Sequence, residues 1–282
     1  MPSETVNIEA RIKALNTAIS DKHHRQLVDE ALRKSKGDMP STLSSLKGRL
    51  SGPELQKINF AHSLAELTDD HLPIIKAIAN NRDITNLRDV ALHFNTQKLS
   101  ELVETRALPE DITGATVDER QKNFVISLQN KLFAAEPTAV LQRMVQDAEV
   151  PIADVNQRKG VASFLSNQPE FNIRTSSVYT ALKHPDAFKG IADEHRPGVV
   201  EQLKTLQRVQ AISPTPGAVP ALMKANLTSA FRISEIPEST FLSAHGPTLG
   251  EDTARQVYTG TLRTHTHIRN EHALMAMRQA WR

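Results

Sequence analysis

Apolar residues recur at intervals of three and four along almost the whole chain. Ile8, Ile12, Leu15 and Ile19 show the pattern near the N-terminus, where this spacing places them on one face of a helix. The sequence has no strand-type alternation and no Asn-Gly or Asp-Gly hairpin signal. The pattern therefore predicts an all-α protein, an irregular bundle of about a dozen mostly short helices.

Turn and cap residues divide this pattern into separate helices. Ser51 is a candidate N-cap, and Thr116 with Glu119 three residues later forms a capping-box pattern. The paired carboxylates Asp69-Asp70 and Glu110-Asp111 lie beside turns, where we expect them to cap helix N-termini. These acidic pairs therefore predict local helix stabilisation rather than general acid or base chemistry.

The densest cluster of helix-breaking residues is Ser-Pro-Thr-Pro-Gly over residues 213–217. It predicts a helical domain or lobe over residues 1–212 and a smaller helical lobe over residues 218–282, unless the two form one continuous domain. A long helix is predicted from about Glu251 to the last residue, with Leu262 and His265 on its apolar face. A helix that runs to the end of the chain suggests a fragment of a longer protein.

Two segments share one apolar pattern, and every matched pair of positions is separated by the same offset along the chain. The matched positions are Ile84, Thr85, Leu87, Val90 and Leu99 in the first segment, and Leu227, Thr228, Ala230, Ile233 and Leu242 in the second. Each segment predicts a helical hairpin, two short helices that meet at a tight corner. Either two unrelated hairpins converged on one pattern, or an ancestral module was duplicated.

Charge and composition exclude several classes of protein. The chain has 34 Lys and Arg residues and 32 Asp and Glu residues, so its formal net charge is 34 − 32 = +2. This charge is too small to predict nucleic acid or an anionic membrane as the default partner. The absence of Cys excludes disulfides, a thiolate nucleophile and Cys-ligated zinc. The chain carries no signal peptide and no run of about 18 apolar residues, so we expect no membrane insertion.

The sequence contains no candidate set of catalytic, cofactor-binding or metal-ligating residues. His265 and His267 lie two residues apart on a predicted helix and diverge, as do the adjacent His23 and His24, so neither pair can chelate one metal. No nucleophile elbow, phosphate-binding glycine loop or His-Glu-x-x-His motif is present. We therefore expect a protein that is not an enzyme and uses no cofactor.

The predicted hairpins raise nucleic-acid binding as a weaker alternative. Helix-hairpin-helix contacts to phosphate need a glycine-containing joint that brings backbone amides close to the ligand. The first joint, residues 91–98, contains no glycine, and the second contains Pro237, which has no amide hydrogen. The eleven histidines would add positive charge to the chain on protonation below about pH 6. The simpler interpretation is that they are unrelated surface residues.

Several phrases occur in an order and spacing that resemble a known family. The first, over residues 60–75, includes Leu-Thr-Asp-Asp-His-Leu-Pro at 67–73, and the second, over residues 84–91, includes Leu-Arg-Asp-Val-Ala at 87–91. The others cover residues 108–120, 136–138, 164–174, 203–209 and 227–233. Together they resemble the N-terminal α-helical region of the A components of Tc (toxin complex) insecticidal toxins and the Salmonella virulence plasmid A family. The match spans roughly residues 40–270, and Pro247 departs from it.

The resemblance implies a structural role, because such helices form part of the outer shell around a pore-forming translocator. The expected function is a non-enzymatic shell or scaffold module of a Tc-like toxin or related large secreted bacterial protein. Its partners would be other domains or subunits of that assembly, including further copies in the full-length context. The alternative is a stand-alone helical recognition module that binds a host surface protein or glycan.

Overall fold

A computed structural model describes the backbone of residues 7–280, with side chains through Thr264 and at Thr266. No strand occurs in this described range, which contains sixteen α-helices, so the all-α prediction is confirmed. The number exceeds the predicted dozen because several short helices are separated only by two- or three-residue corners. None of the described helices is both long and apolar enough to span a bilayer.

The chain divides into two compact units, Met1–Glu136 and Pro137–Arg282. The first holds α1 (Ile8–Leu15), α2 (Lys22–Lys34), α3 (Met39–Leu46), α4 (Gly52–Thr68), α5 (Leu72–Ala79), α6 (Leu87–His93), α7 (Thr96–Glu104) and α8 (Val117–Ala135). The second holds α9 (Pro137–Gln146), α10 (Val155–Asn167), α11 (Val178–Ala181), α12 (Arg196–Ile212), α13 (Ala218–Lys224), α14 (Ala230–Ser234), α15 (Glu238–Leu249) and α16 (Glu251–Ala280).

This division differs from the boundary predicted at residues 213–217. The proline-rich segment is a corner inside the second unit, where Ser213 is buried and its hydroxyl donates to the carbonyl of Val209. The helices α13, α14 and α16, which follow the corner, all pack against α12. Helix-breaking residues mark where a helix ends, but the packing of apolar faces decides which helices form one unit.

Helix caps explain several of the element boundaries. Ser51 accepts from the amide of Glu54, whose carboxylate in turn accepts from the amide of Ser51, so the predicted cap is a complete capping box. Thr116 accepts from the amide of Glu119, but the Glu119 carboxylate binds the amide of Ala115, one residue before the expected partner. Both predicted N-caps are confirmed, and the second lacks the reciprocal bond.

The acidic pairs do not cap helix N-termini, contrary to the sequence-based expectation. Asp69 and Asp70 follow the last residue of α4 and both adopt the left-handed conformation. The next helix, α5, begins after His71, which makes no side-chain cap. Glu110-Asp111 lies in the loop before α8, whose cap is Thr116. The acidic side chains are therefore free to serve other contacts.

Each unit is built around one 17-residue helix, α4 in the first and α12 in the second. α4 packs against α1, α5, α6 and α8, and α12 packs against α10, α13, α14 and α16. Ile58 and Leu64 of α4 and Leu206 and Val209 of α12 have no solvent exposure. Burying an aliphatic side chain of this size contributes about 1.5–3 kcal/mol, so these faces organise the two cores.

Two helices that precede the hairpin segments share their length and their cap. α2 and α10 each have 13 residues. Asp21 caps α2 by accepting from the amide of His24, and Asp154 caps α10 in the same way by accepting from the amide of Gln157. Their packing differs, because α10 contacts α9 and α12 whereas α2 contacts α1 and α3.

Buried positions follow the same register in both units. In α4 they are Ile58, Ala61, Leu64, Ala65, Leu67 and Thr68, and their counterparts in and after α12 are Leu203, Leu206, Val209, Gln210, Ile212 and Ser213. In α5 they are Ile74, Ile75 and Ile78, and their counterparts in α13 are Ala218, Val219 and Leu222. The number of residues between a position and its counterpart is one smaller for α5 and α13 than for α4 and α12. The reason is that the corner from Ser213 to Ala218 is one residue shorter than the corner from Thr68 to Ile74.

The two predicted hairpins are present as α6 with α7 and α14 with α15. The matched residues Val90 and Ile233 have no exposure, and each pair of short helices packs against the long helix that follows. The match is one residue out of register at its last position. Leu99 is buried in the first unit, but its counterpart Leu242 is not, and the neighbouring Phe241 is buried instead. The correspondence extends from α4 and α12 through the two hairpins, which favours duplication over the convergence of two hairpins.

The long final helix is confirmed as α16, which begins at Glu251 as predicted. Ala254, Val257 and Tyr258 are buried, but Leu262 is 44 % exposed and Thr261 takes the buried position instead. The buried stripe therefore lies one residue away from the predicted one at this point. The side chain of His265 lies outside the described residues.

Candidate functional site

The histidines considered as metal ligands do not form a described site. His23 and His24 have ring centroids 6.3 Å apart, and His24 Nδ1 lies 2.7 Å from a carboxylate oxygen of Glu54. The side chains of His265 and His267 lie outside the described residues. Within the described part of the chain, no group of three His, Cys, Asp or Glu side chains is placed to hold a metal ion.

A buried arginine joins α1 to the corner that follows α4. Arg11 is 7 % exposed, and its Nε donates to Asp70 Oδ1 at 2.6 Å while Nη2 donates to Oδ2 at 3.4 Å. The left-handed backbone at Asp70 turns its carboxylate towards α1. This ion pair connects residues 59 positions apart, so it fixes the corner to the first helix.

His62 extends the same network along α4. Its Nδ1 lies 2.8 Å from Nη1 of Arg11, and because arginine only donates, this ring nitrogen accepts. The ring proton is then on Nε2, which lies 3.4 Å from a carboxylate oxygen of Glu66. Burial lowers the pKa of His62, and Arg11 lowers it further, whereas Glu66 and Asp70 act in the opposite direction.

Asp69 makes a second connection from the same corner. Its carboxylate pairs with Lys131 of α8, a residue 62 positions later in the chain. Two consecutive left-handed aspartates therefore bind two different helices, α1 through Asp70 and α8 through Asp69. This explains why the acidic pair is not an N-cap, since its two carboxylates connect the corner to two helices.

One cavity of the first unit is an open groove of about 940 Å³. One wall is the outer face of α4, and the other is the loop between α5 and α6. The apolar part of its lining includes Ala61, Leu64 and Ile84, which are buried, and the half-buried ring of Phe60. An open groove with an apolar floor is a common form of binding site.

Polar side chains line the rest of the groove. Gln56 and Asn59 of α4 are exposed, and their side-chain amides have no hydrogen-bond partner among the described residues. The cations Lys57 and Arg82 also line it, and neither forms an ion pair with a described carboxylate. The groove therefore presents unused donors, acceptors and positive charge beside an apolar surface.

Glu136 contributes the acidic group of the groove lining. Burial raises the pKa of this carboxyl, while the nearby guanidinium of Arg88 acts to lower it. The groove lining thus holds one carboxyl group, that of Glu136, and two cations, Lys57 and Arg82.

The sequence did not identify this groove, because its lining comes from four separated parts of the chain. The local signal is a polar stripe on α4, Gln56, Asn59 and Ser63, next to Phe60. The same stripe is typical of any solvated helix face. Only the placement of the loop carrying Arg82 opposite this face makes it one wall of a cavity.

Comparison of the chain with known protein families, curated proteins and solved structures gives no match.

Proposed function

We propose that this chain is a non-enzymatic helical module that works by packing against and binding other protein. In this proposal it is a shell or scaffold element of a Tc-like toxin or a related large secreted bacterial protein. Its partners are other domains or subunits of that assembly, and it reaches the extracellular space as part of the larger protein. The observation that carries the proposal is where the family-like phrases lie in the fold.

The phrase over residues 67–73 supports this structural role. It contains the corner in which Asp70 binds Arg11 and Asp69 binds Lys131. The phrase over residues 87–91 contains Asp89, whose carboxylate accepts from both the amide and the hydroxyl of Thr85, at 2.9 and 2.8 Å. Both phrases therefore contain residues that shape corners between helices.

The later phrases serve the same purpose. Arg120 donates to the carbonyls of Ile112 and Pro109, at 2.9 and 2.8 Å, and so holds the loop before α8 in place. The hydroxyl of Thr138 accepts from the amide of Ile173 at 2.9 Å. The residues behind the resemblance thus maintain a shape, which is what a shell element requires.

The size of the protein that carries this chain tests the proposal. An antibody raised against the purified 31.2 kDa chain would be used to immunoblot cells and culture medium of the source bacterium. A band of several hundred kilodaltons that reaches the medium supports a large secreted protein. A band at 31.2 kDa confined to the cells would overturn the scaffold proposal.

The second candidate function is a stand-alone recognition module for a protein or glycan. The observation that favours it is the open groove of the first unit, whose polar groups are unused. The 31.2 kDa band of the same immunoblot is its expected result, so one experiment separates the two candidates. The nucleic-acid alternative gains no such support, since Asn95 at the first joint caps α7 by accepting from the amide of Lys98.

A further inference from the structure

The internal repeat shows which features of the groove the fold itself requires. The register that aligns the buried faces of α4 and α12 pairs Gln56, Lys57 and Asn59 with Glu201, Gln202 and Lys204. In the second unit Lys204 pairs with Glu201 at 2.9 Å and lies over the ring of Tyr179, 5.0 Å from its centroid. The second unit therefore satisfies this face internally.

In the first unit the same face of α4 makes no such side-chain pairs with described residues. The amides of Gln56 and Asn59 and the cation of Lys57 have no partner among the described residues. Since the same helix packs in the second unit without such unpaired groups, their presence is not a requirement of the fold. Unpaired polar groups around an apolar floor are what a binding surface presents before its partner arrives.

The chemistry of the groove selects one class of occupant. Primary amides both donate and accept, so the side chains of Gln56 and Asn59 match the alternating N–H and C=O groups of an extended peptide backbone. The accessible apolar lining of Phe60, Ala79 and Leu87, which lies over the buried Ala61, Leu64 and Ile84, suits every second side chain of such a peptide. A compact sugar or a bare phosphate would leave this floor without a contact.

The charges of the groove define the peptide further. Lys57 and Arg82 line it without a described acidic partner, and Glu136 is the one carboxyl group among the lining residues. Cations in this arrangement attract carboxylates and disfavour basic segments.

We propose that this groove binds an extended acidic segment of a partner protein. The carboxylates of the segment lie on Lys57 and Arg82, and its backbone pairs with Gln56 and Asn59. This inference rests on the proposed function, since it names the class of partner for a module that binds other protein.

Fluorescence anisotropy with two pools of labelled heptapeptides tests the inference on the full chain. Both pools carry Leu, Val or Phe at alternate positions; the intervening positions are Glu in the first pool and Gln in the second. We expect the Glu pool to bind at least tenfold more tightly than the Gln pool. We also expect its binding to weaken as salt is raised, since exposed ion pairs are screened.

A pair of charge-matched variants locates the site. The variant Lys57→Glu/Arg82→Glu removes both groove cations, and Lys76→Glu/Lys159→Glu makes the same change in charge at exposed positions outside the groove. We expect the first variant to lose at least tenfold in affinity for the Glu pool and the second to change less than twofold. Circular dichroism confirms that both variants fold.

Three results would overturn the inference. They are equal binding of the two pools, equal loss of affinity in the two variants, and binding of a heparin oligosaccharide in preference to both pools. None of these bears on the immunoblot, so the acidic-peptide inference can fail while the scaffold proposal stands. A 31.2 kDa band with groove-dependent peptide binding would leave this inference intact and reject the scaffold.

Discussion

Thr68 and Ser213 end the central helices of the two units in the same way. The buried hydroxyl of Thr68 donates to the carbonyl of Leu64 at 2.8 Å, and that of Ser213 donates to the carbonyl of Val209 at 2.7 Å. Each hydroxyl reaches one helical turn back along the chain, and the two residues occupy matched positions of the repeat. The corner at residues 213–217 is thus the counterpart of the corner after α4, and it lies inside the second unit.

We therefore predict that the chain separates into folded pieces at Glu136 and not at the proline-rich corner. Fragments 1–136 and 137–282 should each show a helical circular dichroism spectrum and a cooperative thermal transition, because each keeps its central helix. The fragment 213–282 should be largely unfolded, since α13, α14 and α16 lose the surface of α12. A cooperative transition in fragment 213–282 would contradict the division seen here.

Asp70→Asn should strongly destabilise the first unit. The substitution leaves Arg11, whose side chain is 8 % exposed, without its anionic partner, and breaking such a buried pair costs about 3–5 kcal/mol. Asparagine tolerates the left-handed backbone of Asp70, so the change reports the lost charge rather than backbone strain. Urea unfolding followed by circular dichroism measures the effect.

The exposed pair of Glu9 and Arg33 provides the matched control for this prediction. Both side chains are more than half exposed, so Glu9→Gln removes an equivalent charge where solvent screens it. We expect the urea midpoint of Glu9→Gln to stay close to that of the wild type. If the two substitutions shifted the midpoint equally, the Arg11–Asp70 pair would have no special role.

Stability should fall as the pH drops below about 6.5, the ordinary pKa of histidine. Burial lowers the pKa of His62, His71 and His93 in the folded state, so the unfolded chain binds more protons in this range. The stability that these neutral histidines contribute is fully present above the pKa of histidine in the unfolded chain, and it is lost as the pH falls. For His62, protonation of Nδ1 would also remove the acceptor that Arg11 uses.

His62→Gln should make the pH dependence of stability shallower between pH 7 and 5. Glutamine keeps an acceptor for Arg11 without a titrating group, and Gln207 occupies the corresponding place in the second unit. The exposed His23→Gln variant controls for the removal of one histidine. Urea unfolding at several pH values measures the slope of the unfolding free energy against pH. A slope unchanged by His62→Gln would show that His62 does not contribute to the pH dependence.

Two glycine-to-alanine substitutions should change stability in opposite directions. A Cβ at Gly160 of α10 would lie 2.4 Å from Cγ2 of the buried Val199, so Gly160→Ala should cost about 1–3 kcal/mol through overpacking. A Cβ at Gly260, inside α16, meets nothing within 4 Å. Gly260→Ala should therefore stabilise the protein by about 0.5–1 kcal/mol, as expected from helix propensity.

Thermal unfolding of the two variants side by side gives the comparison. Opposite shifts of the midpoint would confirm that α10 and α12 approach closely at Gly160. Two shifts of the same sign would show either that Val199 moves aside or that α16 does not gain from the added methyl group.

Local sequence determined the class of the protein and the ends of many helices. The spacing of Ile12 and Leu15 placed both on the buried face of α1, and Ser51 and Thr116 marked the helix starts. These properties depend on neighbours within one or two helical turns, and the pattern of residues along the chain contains that information. The same local reasoning placed the start of α16 at Glu251.

Tertiary packing decided the features that join distant parts of the chain. The role of Asp70 depends on Arg11, 59 residues earlier, and the groove depends on a loop that brings Arg82 opposite α4. The division at Glu136 depends on which apolar faces meet, whereas the proline-rich corner only ends a helix. Periodicity records that a helix face will be buried but not which partner buries it, so only the folded chain reveals the two units and the groove.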